Sequence, residues 1–250
     1  TSAASSRNQG RRLKPAGQPA ISPSMSRRLP VYVLLDTSGS MKGEPIESVK
    51  NGLASLVASL RTDPHALDTV SLCLMTFDRE VKTLVPLTPL DEFVLPELVV
   101  PDSGPTMTGL ALREVCRAVR VDVIKSTPVQ KGDWRPLLFL MTDGVPSDSA
   151  EYAAMIPMVK SMGFGTVVGC AAVMKSRARD VEKSKQDADR LCDQLKLLCS
   201  HVVTLDTMDG NTFLAFFKWV SSAVASGNLS AGTSCEVNLP PPPPEISVVC

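Results

Sequence analysis

Histidine is almost missing from this 250-residue chain, which holds only His65 and His201. Neither pairs in sequence with an obvious nucleophile, so covalent catalysis driven by a histidine base has no visible machinery. A Gly-x-x-x-x-Gly-Lys loop is also lacking, and with it nucleotide hydrolysis through a phosphate-binding loop. None of the seven cysteines (Cys73, Cys116, Cys170, Cys192, Cys199, Cys235 and Cys250) has a Cys-x-x-Cys partner. An odd, unpatterned set of this kind suits a reducing compartment, and a cytoplasmic location is expected. Cys192 and Cys199 lie seven apart with His201 beyond them, but zinc would need a fourth ligand and closer pairs, so buried thiols are the expectation. The first 24 residues lack the apolar stretch of a secretion signal or membrane span.

Net charge is zero, but it is unevenly placed. Residues 1–30 carry six basic residues and no acid, which leaves 20 basic against 26 acidic residues in the rest. The body is mildly acidic. The basic arm, without aromatics, reads as a solvated, disordered extension over 1–27 rather than a nucleic-acid or membrane contact.

Hydrophobic period divides the remainder. Val31–Leu35, Val70–Phe77, Leu137–Met141, Thr166–Val173 and Val202–Leu205 read as strands. Ile46–Leu60, Leu110–Lys125, Ala150–Met162, Lys185–Leu198 and Asn211–Ala225 carry helical spacing. Glu80–Val85 follows Val70–Phe77 across a short hairpin and gives one antiparallel edge strand. Alternating strands and helices predict a doubly wound α/β fold, with a mostly parallel central sheet and helices on both faces. The domain is expected over 28–226. A tail over 227–250 follows, in which Pro240–Pro244 forces an extended rod: either a spacer ending in a short strand, Ile246–Val249, or a docking peptide. Residues 174–190 mix six basic with four acidic residues and read as a solvated helical extension with intrahelical ion pairs.

One constellation carries chemistry. Asp36-Thr37-Ser38-Gly39-Ser40 follows directly on a buried-type strand, so one carboxylate and two hydroxyls are delivered at a strand's carboxyl end. Open α/β sheets collect their ligands there. The run Pro136–Met141 repeats the pattern and ends in Thr142-Asp143-Gly144. Between the two lies the small-residue loop Ser103–Gly109, whose Thr106 or Thr108 supplies a further hydroxyl. Oxygen donors with two carboxylates describe a magnesium site, and manganese, similarly hard, should substitute.

In these residues the chain resembles the von Willebrand factor A domain and its metal-ion-dependent adhesion site. Further stretches narrow the resemblance: Arg28–Tyr32, Gly43–Ile46, Lys131–Pro136, Leu205–Asp209 and the proline run. They look like the bacterial TerY (YegL-like) branch. The resemblance implies that Ser38, Ser40 and Thr106 ligate the metal directly while Asp36 and Asp143 act largely through bound water. It also implies that an acidic residue of a partner protein completes the coordination. Pro105 departs from the Gly-Gly-Thr usual in the family, with Thr108 as the fallback ligand. The same resemblance implies a non-catalytic scaffold or regulator working with a Ser/Thr protein kinase and a PP2C-type phosphatase in tellurite and other stress responses. Two other readings use the same residues. An extracellular adhesin or receptor would use the same metal site. An Asp-based, magnesium-dependent phosphohydrolase would need an acid at the position held by Ser38.

Overall fold

The computed structural model describes residues 27–102, 104–172, 181–205, 210–230, 240–244 and 246–249. The sheet has seven strands: β1 (Leu29–Asp36), β2 (Val70–Phe77), β3 (Val81–Pro89), β4 (Leu137–Thr142), β5 (Thr166–Ala171), β6 (His201–Leu205) and β7 (Ile246–Val249). Their spatial order is β3-β2-β1-β4-β5-β6-β7. The five inner strands run parallel, while β3 and β7 close the two edges antiparallel to their neighbours. The predicted antiparallel edge is β3. The second one, β7, falls within the expected tail.

All eight residues of β1 are buried, which explains why its sequence is apolar without alternation: both faces are covered. Val31, Val33 and Leu35 point into one core with α1 (Glu44–Arg61) and α6 (Gly210–Ser230). Tyr32 and Leu34 point into the other, with α3 (Thr108–Asp122), α4 (Ser149–Ser161) and α5 (Val181–Leu198). Phe216, Phe217, Val220 and Val224 of α6 are buried against α1. Gly52 lets the two helices close, since a Cβ there would lie 2.2 Å from the Phe217 ring.

Some expectations were displaced. His65 belongs to a short helix, α2 (Pro64–Thr69), which the hydrophobic period did not mark; Asp63 caps it, its Oδ1 accepting from the His65 and Ala66 amides at 2.9 and 3.4 Å. The second hairpin strand continues to Pro89, which an edge permits because proline's missing donor faces outward. Helix α6 runs past 226 to Ser230. Most of the basic extension, residues 1–26, lies outside the described residues, as do 174–180 of the charged segment, the last residue of the expected strand Thr166–Val173, and residues 206–209. The described part of that segment opens α5, where Arg190 lies 4.0 Å from Asp187 one turn away. Among the described residues no helix is long and apolar enough to cross a membrane.

The thiols of Cys73, Cys116, Cys170 and Cys192 are buried and unpaired, and Cys199 is half-buried and also unpaired. Burial pushes Cys73 up to about 12 and Cys116 up to about 11, so both stay protonated and serve as packing groups.

At the amino end of the parallel strands, Arg28 grips Asp133 through two bonds, Nε to Oδ1 at 3.0 Å and Nη2 to Oδ2 at 2.7 Å. The Asp133 side chain is 4% exposed and also accepts from the Ile124 amide. Arg27 alongside donates to the Gly132 and Asp133 carbonyls and lies over the Trp134 ring. Removing the guanidinium would strand a buried carboxylate. Arg28→Ala is therefore expected to cost about 3 kcal/mol, read as a lowered urea midpoint at unchanged slope.

Candidate metal centre

The winding of the sheet reverses between β1 and β4, and their carboxyl ends open onto the crevice where such folds bind ligands. Asp36, the last residue of β1, is 1% exposed. Both of its oxygens are held: Oδ1 accepts from the Ser38 amide at 2.7 Å, and Oδ2 from the Thr142 hydroxyl at 2.6 Å. The first bond turns the chain sharply enough to bring the Ser38 and Ser40 hydroxyls to 3.1 Å of one another. Asp143 follows β4 and faces the same serines. Its Oδ1 is buried and has no hydrogen-bond partner.

Thr106 arrives from a third direction. Its amide donates to the Ser147 hydroxyl at 3.0 Å, and its carbonyl accepts from the Ser147 amide at 2.9 Å. A Cβ on Gly144 would stand 3.0 Å from the Thr106 hydroxyl, so the threonine lies directly over the Asp143-Gly144 turn and glycine leaves it room. Thr108 opens α3; its hydroxyl is buried without a partner. Of the two threonines left open by the sequence, Thr106 is the one the structure places against the second carboxylate's turn.

The electrostatics are those of a site short of positive charge. Burial, and then the charge of Asp143, push Asp36 up to about 6. Burial also raises Asp143, partly offset by hydrogen bonding from Ser40 and Ser38. Among the described residues no three His, Cys, Asp or Glu side chains converge. The donor set is thus two carboxylates and three hydroxyls, with one carboxylate oxygen unsatisfied. A hard divalent cation fits it, and a thiophilic one has no sulfur to bind.

The pH dependence has a definite sign. A carboxyl whose folded value is raised loses stability on ionising, so its penalty is absent below about pH 4 and complete above about pH 6. Without metal, the stability of wild type relative to Asp36→Asn should fall as pH rises from 4 to 6.5. Paired thermal melts of the two proteins across that range measure it.

Four supporting residues were not singled out in the sequence. The Thr142 hydroxyl donates to Asp36 and accepts from the Gly144 amide at 3.3 Å, tying both carboxylate turns together. Asp78 is buried in the β2–β3 turn; its Oδ2 accepts from the Thr37 hydroxyl and its carbonyl from the Met107 amide. It thereby links the serine turn to the threonine loop. Ser147 anchors Thr106 on both sides. Asp148 precedes α4 yet makes no side-chain cap on it; its oxygens accept from the Gly109 and Leu110 amides at 3.0 and 2.8 Å, capping α3 instead. The Asp148-x-x-Glu151 spacing is a readable signal for the start of α4, although the Asp148 side chain serves α3. Around the rim stand an exposed Lys42–Asp102 ion pair and Val145, 45% exposed.

Solved structures share this architecture. The proximal thread matrix protein 1 of the mussel byssus, in a form with a zinc-occupied MIDAS motif, superposes with a TM-score of 0.52 at 17% identity, over 81% of this chain and 49% of that one. The pilus adhesin SpaC of Lactobacillus rhamnosus GG gives 0.58 at 13% identity, over 80% and 30%. The minor pilin PilB of Streptococcus sanguinis, as its D319A mutant, gives 0.59 at 13%, over 84% and 64%. The chain thus spans about half the length of the mussel protein and under a third of SpaC. At these identities the likeness is one of fold. No curated protein matches the chain in sequence. Residues 31–188 match the family description of the von Willebrand factor type A domain, a stretch that holds all five predicted site residues, and the chain belongs to that family.

Proposed function

We propose that this chain is a magnesium-dependent protein-interaction module with Asp36, Ser38, Ser40, Thr106 and Asp143 as its metal-holding residues. The observation that carries the reading is the unsatisfied Oδ1 of Asp143 beside a second buried carboxylate and a ring of hydroxyls. Burial disfavours ionisation of both carboxyls, and a cation held beside them would relieve that burden. Neutral hydroxyl ligands would leave a bound cation most of its charge, available to a carboxylate from outside. The metal supplies that Lewis acidity. The chain's own residues orient it: Thr142 and the Ser38 amide fix Asp36, and Ser147 and Asp148 fix the loop that carries Thr106.

Domains of this family are typically interaction and adhesion modules, and adhesins appear among the structural neighbours. The partner here is proposed to be a protein that donates an Asp or Glu. The TerY-like resemblance favours a cytoplasmic scaffold or regulator serving a Ser/Thr protein kinase and a PP2C-type phosphatase, without a catalytic role of its own. The mussel protein carries zinc, whereas the all-oxygen set here favours magnesium or manganese.

Calorimetric titration with magnesium, manganese and zinc tests the site, and capture from cell extract with magnesium or EDTA tests the partner. Asp36→Ala is expected to abolish both metal uptake and capture. Magnesium-independent capture, or turnover of p-nitrophenyl phosphate lost in Asp36→Ala, would overturn the reading.

A further inference from the structure

Beyond β3 the chain returns toward the metal rim without joining the sheet. It starts at Leu90, whose amide donates to the carbonyl of Val70, the first residue of β2, and it ends at Asp102 beside Lys42, so it runs the length of the sheet. Phe93 and Leu98 anchor it in the core shared with α1. Arg61, the last residue of α1, clamps its beginning by donating to the Leu90, Asp91 and Phe93 carbonyls at 2.9, 3.3 and 2.6 Å. Pro96 and Pro101 drive Leu95 and Val100 before them to extended backbone. The amides of Val94, Leu95, Glu97, Leu98, Val99 and Val100 have no hydrogen-bond partner among the described residues. Val94 and Val99 are 76% and 71% exposed. Bare backbone with apolar side chains facing water is a template for strand addition. The stretch is also acidic: Asp91, Glu92 and Glu97 are exposed, and residues 91–102 contain no lysine or arginine.

A segment of opposite charge is tethered beside it. Arg27 donates to the Gly132 and Asp133 carbonyls at 2.8 and 3.2 Å and lies over the Trp134 ring. That ring meets the His65 ring edge-on at 6.1 Å, and α2, which holds His65, follows α1 directly. The amino-terminal arm is therefore rooted near the end of α1, whose Arg61 holds the acidic stretch. Residues 1–26 carry Arg7, Arg11, Arg12 and Lys14 and no acid. From Lys14 to Arg27 the chain can reach about 40 Å, more than the roughly 27 Å of a strand as long as β2. We propose that Arg11-Arg12-Leu13-Lys14 docks on residues 91–99 of the same molecule. It adds its backbone to the bare amides, sets Leu13 on the exposed valines and places its cations beside Asp91, Glu92 and Glu97. Pro15 ends the pairing, having no amide to give. Exposed ion pairs contribute little one by one. The tether decides the outcome, because it holds the arm at an effective concentration on the order of millimolar.

Hydrogen exchange of the full chain, followed in EDTA so that the metal site plays no part, reads the contact. At low salt the amides of Val94, Leu95, Glu97 and Val99 are expected to exchange about tenfold more slowly than in a free peptide. In about 1 M salt, where the Debye length is about 3 Å, that protection should disappear. The triple variant Arg11→Glu, Arg12→Glu, Lys14→Glu should lose it at low salt while melting at the wild-type temperature. Adding Glu92→Lys and Glu97→Lys to the triple variant should restore it, because the signs are then reversed on both sides. Free-peptide rates in wild type, protection that survives the triple variant, or a charge swap that restores nothing would overturn the proposal. Protection that rises with protein concentration would overturn it too, because the docked strand would then belong to a second molecule.

Discussion

Asp143→Asn is expected to raise the melting temperature of the metal-free protein and to abolish its further rise with magnesium. A structural carboxylate behaves the opposite way, because its loss removes bonds that hold the fold. Asp143 brings an ionised group into a pocket where Oδ1 has no partner and Asp36 is already charged. Neutralising it relieves both burdens, on the order of 1–3 kcal/mol, the scale of an unsatisfied buried polar group. In wild type, magnesium at a hundred times its dissociation constant should add roughly 2.7 kcal/mol through mass action. The variant should gain almost none. Differential scanning calorimetry at pH 7, with EDTA and with magnesium, reads both numbers. A variant less stable than wild type in EDTA would mean that Asp143 serves the fold rather than a cation.

Gly109→Ala should do the most damage of any single methyl group near the site. A Cβ at that position would lie 2.4 Å from the Tyr152 amide nitrogen and 2.7 Å from the Glu151 carbonyl carbon, both backbone atoms that cannot swing aside. Helices α3 and α4 would have to part, stretching the bonds from Gly109 and Leu110 to Asp148. Thr106 stands three residues upstream, so its hydroxyl would leave the Asp143 turn. Overpacking against backbone is expected to cost about 3 kcal/mol, with magnesium affinity falling more than tenfold. Gly52→Ala is the control. Its methyl meets only the Phe217 ring, which can turn, and α1 and α6 lie on the far side of the sheet from α3. That variant should lose stability and keep its magnesium affinity.

The parts of this molecule readable in its sequence share a physical cause. Strands β1 and β4 are covered on both faces, and full burial writes itself as unbroken apolar runs; the two aspartates at their ends were legible because a charge terminates each run. Helix α1 was legible through its long 3.6-residue stripe. Helix α2 was not, because six residues complete fewer than two turns and Pro64-His65 reads equally well as a turn. The supporting shell was hidden for a different reason. Thr142 ends a strand as many threonines do, and only the register of β1 beside β4 brings its hydroxyl to Asp36. Asp148 carries a local signal that its tertiary use contradicts. The choice between Thr106 and Thr108 depends on how one loop crosses another, which spacing along the chain does not encode.

Strand β7 also bears on how fragments of this protein will behave in solution. It satisfies the outer row of amides and carbonyls of β6, a short strand with Val202, Val203 and Leu205 buried. A recombinant version that stops ahead of Ile246 would leave that row bare, and bare strand borders recruit whatever extended peptide is nearest, most often an identical molecule. Shortened preparations should therefore elute as dimers and larger species on gel filtration, and self-association of that kind would be an artefact of trimming rather than a clue to physiology.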